Sequence, residues 1–192
     1  MKTRCLLIGA MLLSLCCFMS CNKDEELFSS DEIEQMLFDM KGNYYGTVQV
    51  AYYHGETFAD SLETVAFSRD SLTVTLPLAP MAETIADETI AERLREIGEV
   101  TVTMGYSFSQ TDGSTIHFGL HPADVVIYGG YGAPPTIRIV LAQNFGGDGD
   151  SSWIDSNQRS VIFNVSPIEL WVNGEEYEDF RQLVYHFRGE TK

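Results

Sequence analysis

Val100, Val102, Met104, Tyr106 and Phe108 alternate with polar or small residues, and Ile116, Phe118 and Leu120 repeat the pattern a few positions later. A period of two is the side-chain period of a strand with one buried face, so these segments must form an antiparallel pair that covers a core. The connection decides whether the two apolar sets share a face. A two-residue Asp112-Gly113 loop pairs Phe108 with His117 and sends the sets to opposite faces. A three-residue loop of Thr111, Asp112 and Gly113, with Gly113 left-handed, pairs Phe108 with Ile116, Tyr106 with Phe118 and Met104 with Leu120, and is the expected one.

The same alternation marks Val48, Val50 and Tyr52, and again Leu72, Val74 and Leu76. Further strands are expected over 124–128, 135–143, 159–165, 168–172 and 180–188, with Asn173-Gly174 as a hairpin turn. Helical spacing is confined to two places. Ser29-Ser30-Asp31-Glu32 fits a capping box, followed by Ile33, Met36, Leu37 and Met40. Between Pro80 and Gly98, Met81, Ile85, Ile90, Leu94 and Ile97 give one bent helix or two short ones, the second capped by Asp87. The expected fold is mainly β (α+β). Its antiparallel sheet forms a sandwich or a lipocalin-like barrel, with a short N-terminal helix and a helical insertion near residues 80–97, all within one domain over 31–192.

All four cysteines lie at or before Cys21, so no disulfide can staple this domain and burial alone must hold it. Lys2 and Arg4 precede an apolar run from Leu6 to Met19 that is too short to span a bilayer, which reads as a signal peptide over residues 1–20. Phe18-Met19-Ser20-Cys21 resembles a bacterial lipobox, with Phe in place of the usual Leu; an ordinary secretory signal cut near Ser20 is the alternative. Acylation of Cys21 would then supply a membrane anchor, with 21–30 as a tether of up to ~30 Å. Loss of Lys2 and Arg4 lowers the basic count from 12 to 10 against 28 acidic residues, a formal charge of −18. So acidic a surface repels phosphate backbones and excludes nucleic acid as a partner. Asn22 at the second position lacks the common inner-membrane retention signal. Lys23, Asp24 and Glu25, with Glu26, resemble the export tag of Bacteroidetes surface lipoproteins. That resemblance implies an outer-membrane, cell-surface location.

Met40-Lys41-Gly42-Asn43-Tyr44-Tyr45-Gly46-Thr47, a hydrophobic-Lys-Gly-x-Tyr-x-Gly opening behind a short acidic helix, resembles the small lipoproteins of gut Bacteroidetes that carry domains of unknown function. The resemblance implies a location and a β architecture, and brings no catalytic residues. Similar openings begin lipocalin-like barrels. The same bacteria modify Asp-Ser/Thr-hydrophobic sites with O-glycans, which makes Ser61 and Ser71 candidates, although Asp-Ser is also ordinary turn chemistry.

No Gly-x-Ser-x-Gly, His-Glu-x-x-His or Walker loop occurs. The Gly-rich 129–134 segment leads into a strand where a phosphate loop needs a helix. Asp148-Gly149-Asp150-Ser151-Ser152 begins like a calcium loop, but Trp153 stands where glycine must turn and Arg159 where a glutamate must close the site. A solvated acidic loop is therefore expected, with Asp148 and Asp150 as the calcium candidates. His117 and His121 share a strand face ~13 Å apart, too far for one ion. His54 and His186 stand alone, and carboxylates are too numerous to single out a pair. No cofactor is implied. What remains are aromatic rings beside Gly-rich loops: Tyr128 and Tyr131 around one, Trp153 at the end of the other, the two loops expected at opposite ends of the strand between them. Such rings contact sugars or partner proteins, or fold back on the domain. The expected function is a non-enzymatic envelope lipoprotein that binds a glycan or protein partner. The alternatives are an apolar-ligand carrier with a lipocalin-like cavity, and a carboxylate-dependent hydrolase.

Overall fold

A computed structural model of the chain describes residues 27–52, 57–129, 135–143 and 152–192. It begins with helix α1 (Ser30–Met40) and continues through strands β1 (Gly42–Tyr52), β2 (Thr57–Phe67), β3 (Ser71–Pro77), β4 (Glu99–Asp112) and β5 (Thr115–Pro122). The chain then leaves for β6 (Val125–Ile127) and β7 (Ile137–Leu141), and returns for β8 (Trp153–Asp155) and β9 (Ser160–Val165). It leaves again for β10 (Pro167–Val172) and β11 (Glu175–Glu176) and closes with β12 (Leu183–Glu190). Helices α2 (Ala79–Ala82) and α3 (Glu88–Ile97) fill the connection from β3 to β4.

The excursions explain the topology. Without them, β1, β2, β3, β4, β5, β8, β9 and β12 are neighbours in chain order, all antiparallel, and β12 pairs back onto β1 to close an up-and-down barrel. The two excursions meet through β7 and β10 to make a second sheet in the order β11-β10-β7-β6. Because strands alternate direction, α1 lies at the same end as the β2–β3, β4–β5 and β8–β9 turns. The helical insertion and the second sheet are fed from the other end.

An eight-stranded barrel has an interior that side chains can fill. Here aromatic rings fill much of it: Phe163 stacks on Phe187 at 4.7 Å, Tyr44 meets Phe67 edge-on at 5.5 Å, and Phe67 meets Phe118 at 5.7 Å. Two tyrosines bury their rings and satisfy their hydroxyls against backbone. Tyr44 donates to the Met40 carbonyl at 2.9 Å, tying α1 to β1, and Tyr185 donates to the Pro77 carbonyl at 2.7 Å. Burial raises the pKa of both phenols. The core runs without a break from the barrel into α2, α3 and the second sheet.

The Lys-Gly-x-Tyr-x-Gly opening has a structural cause. The β1–β2 register shifts between Tyr44 and Gly46, and Gly46 faces Gly189 across the β1–β12 pair. A methyl group on Gly46 would meet the Arg188 carbonyl oxygen. Gly46 thus permits the close strand approach that seats Tyr44.

Helix signals appear where expected. Ser29 and Glu32 form the reciprocal capping box, and accepting the Ser29 backbone N–H lowers the Glu32 pKa. The 80–97 insertion is two short helices, the second capped by Asp87. In α1 the buried face is Met36 and Met40, whereas Ile33 is partly and Phe38 largely exposed.

The β4–β5 hairpin differs from expectation. Its loop is the two residues Gly113 and Ser114, and Phe108 pairs with Phe118, Tyr106 with Leu120 and Met104 with Pro122, two positions from the expected partners. A two-residue loop alone would send the apolar sets to opposite faces. A bulge at Ser109 inserts the extra residue that brings them back to one face. Gly113 is left-handed, at φ 58°. Asn173 and Gly174, both at positive φ, turn β10 into β11 as expected.

Candidate functional site in the second sheet

Alternation splits the second sheet into two faces. Val125, Ile139 and Leu170 form one cross-strand row and Ile127, Ile137 and Val172 another; these rows join the core. The other face turns outward. There Val126, Arg138, Trp171 and Glu176 stand in one register row across all four strands, flanked by a second pair, Val140 and Glu169.

The side chains of this row hold one another. The Arg138 guanidinium lies 4.6 Å over the Trp171 ring, and its Nε is 3.6 Å from Asp124 Oδ2. Trp171 Nε1 donates to Glu169 Oε2 at 2.8 Å. Arg138 Nε is buried and lacks a hydrogen-bond partner among the described residues, so the ion pair is its only polar engagement there. Beyond this braced centre, Val126, Ile168 and above all Tyr128, 78% exposed, present apolar surface to solvent. A rigid Trp–Arg pair with exposed aromatic and aliphatic neighbours has the composition of an interface hot spot.

Of the expected contacts, Tyr128 belongs to this patch, directly after β6. Trp153 does not. It opens strand β8 and is not part of a loop, and its half-buried ring lies on the outer wall of the barrel, because neighbouring Ile154 points into the core. It pairs with His117 and Ile162 near the α1 end, far from the second sheet. Tyr128 and Trp153 thus belong to different sheets, Tyr128 following β6 of the second and Trp153 opening β8 of the barrel. Tyr131, Asp148, Asp150, Cys21, Lys23, Asp24 and Glu25 lie outside the described residues. Ser71 opens β3, its hydroxyl 2.8 Å from that of Ser68 in the β2–β3 turn; the Ser61 backbone pairs with Thr47 inside β2.

Trp171 was the residue the sequence concealed. It sits in an expected strand, and attention to aromatics near Gly-rich loops passes over a ring on a strand's outer face. The signal was present in Ile168-Glu169-Leu170-Trp171-Val172, where Trp occupies a polar-face position beside Glu.

Elsewhere the described residues offer less chemistry. No group of three His, Cys, Asp or Glu side chains among them could hold a metal. His121 Nε2 is 2.8 Å from Ser107 Oγ, and His186 Nδ1 is 2.7 Å from Asn164 Oδ1, with burial lowering the His186 pKa. A surface depression of about 430 Å³ contains two carboxylates, Glu83 and Asp179, alongside Arg181, which is where the hydrolase alternative points. Glu83 is already engaged by Arg95 at 3.8 Å. A second, about 280 Å³, lies between α1 and the β2–β3 turn, lined by Leu37, Phe38, Lys41 and Arg69 among others. No helix among the described residues is long and apolar enough to cross a membrane. Comparison with protein-family models, with curated proteins and with solved structures found no match.

Proposed function

We propose that this chain is a non-enzymatic binding component of the bacterial envelope, anchored to the outer membrane through lipid on Cys21. The barrel serves as a pedestal, and the outward face of the second sheet makes the contact. One observation carries this reading: Val126, Arg138, Trp171 and Glu176 align in register, with Trp171 locked between Arg138 and Glu169 while Tyr128 stays open to solvent. A side chain held rigid before binding loses little entropy on binding, which is how such faces gain affinity. The aromatic filling of the barrel supports a pedestal over an apolar-ligand carrier.

The test is binding of the purified full chain to envelope proteins and polysaccharides. Tyr128→Ala and Trp171→Ala should each weaken binding roughly tenfold or more, and Trp153→Ala should leave it unchanged. Wild-type binding by both of the first two variants would remove the second sheet as the contact face. Mass spectrometry of the N-terminus of membrane-extracted protein tests the anchor separately, a diacylated or triacylated Cys21 being the expected product.

A further inference from the structure

Among the described residues the outward face of the second sheet has one guanidinium, and it is engaged twice. Arg138 covers the Trp171 ring and pairs with Asp124, so the charge of the row's one cation is already balanced by a carboxylate, and Glu169 and Glu176 leave the face net negative. What the face presents beside it is apolar surface bordered by carboxylates: Val126 and Tyr128, with Asp124, Glu169 and Glu176 around them. On Trp171 a sugar would find the ring face covered by Arg138 and the indole N–H held by Glu169.

Resting on the contact face assigned above, we infer that its partner is a protein segment bearing lysine or arginine beside apolar side chains, not a polysaccharide. The apolar side chains would cover Val126 and Tyr128, and the cations would meet Glu169 and Glu176. Opposite charges at a rim accelerate and orient association, and their removal shows in its salt dependence.

The test uses the full chain in detergent and three probes: a synthetic peptide alternating lysine with valine and tyrosine, the same peptide with glutamate for lysine, and dextran as a neutral polysaccharide. The lysine peptide should bind, the other two should not, and affinity should fall about tenfold between roughly 50 and 300 mM salt. A Glu169→Gln, Glu176→Gln double variant should bind the lysine peptide at least about fivefold more weakly. A Glu34→Gln, Asp70→Gln double variant, with the same change in net charge at the opposite end of the barrel, should bind as wild type. Equal weakening by both double variants would reduce the effect to overall charge and overturn the inference, as would failure to bind the lysine peptide. Dextran binding lost in Tyr128→Ala but kept in Glu169→Gln, Glu176→Gln would retain the contact face and overturn its basic partner. Should the lysine peptide bind but no variant at this face alter it, the contact face and the inference would fall together.

Discussion

At Gly46 a side chain has almost nowhere to go. An added methyl carbon falls on the carbonyl oxygen of Arg188 and within 2.8 Å of the Gly189 Cα, and both obstacles are backbone, which cannot rotate aside. Relief requires β1 and β12 to separate at the place where the barrel closes. Gly46→Ala is therefore expected to cost about 3 kcal/mol, at the upper end for an overpacked site. Gly113→Ala offers the contrast: its added methyl meets nothing within 4 Å, and only the left-handed backbone, φ 58°, opposes it, for about 1 kcal/mol. Urea denaturation of the two variants checks the ordering, and equal losses would mean that strand spacing at Gly46 is softer than its contacts indicate. The glycine was visible in the sequence as part of a motif. Its reason was not, because the obstructing carbonyl lies more than 140 residues away in the chain.

Between elements, the hydroxyls of Tyr44 and Tyr106 make similar bonds in different surroundings. Tyr44 is fully buried and satisfies the Met40 carbonyl at the last turn of α1. Tyr106 donates to the Ser68 carbonyl at 2.8 Å in the β2–β3 turn, and partial burial pushes its phenol pKa up to about 12. Removing the first hydroxyl leaves a buried carbonyl without its donor; removing the second leaves one that water can reach. Tyr44→Phe should cost about 2 kcal/mol and Tyr106→Phe about 1 kcal/mol or less, read as shifts in the urea midpoint at constant slope. Local signals located α1 and α3 well, because capping boxes and Asp caps act within one turn of the residues that make them. Strand pairing was less legible. The alternation of Met104 to Phe108 and Ile116 to Leu120 fixed a shared face, and the structure keeps it, but a bulge at Ser109 and a three-residue loop are two ways to reach the same face. Nothing in a polar Ser-Gln-Thr run distinguishes them. The second sheet was harder still: β6, β7 and β10 were expected one by one as strands and β11 was not, and their segregation from the barrel depends on β7 finding β10, a pairing between two separate excursions.

In the molecule as a whole, those excursions could be an appendage or part of one cooperative body. The hydrogen bonds at the crossing favour the second. Ser166, fully buried between β9 and β10, donates through Oγ to the Leu183 carbonyl at 3.0 Å and is 3.2 Å from Gln182 Nε2, while its carbonyl accepts the Ala142 N–H at 2.8 Å. One residue thus links the end of β7, the start of β12 and the step between the sheets. Buried Ile137, Ile139 and Leu170 extend the barrel core under the second sheet, so melting that sheet alone would expose core that the barrel shares. The chain has two tryptophans, and they report separately, Trp153 on the barrel and Trp171 on the second sheet. Trp171→Phe and Trp153→Phe variants therefore isolate each sheet as a fluorescence probe. If the body is cooperative, each variant's fluorescence transition coincides with its own circular dichroism transition in urea, as two-state unfolding requires. An earlier fluorescence transition in the variant that retains only Trp171 would instead show the second sheet opening first. The contact face would then be the least stable layer of the fold, and the rigidity claimed for its Trp–Arg pair would be lost.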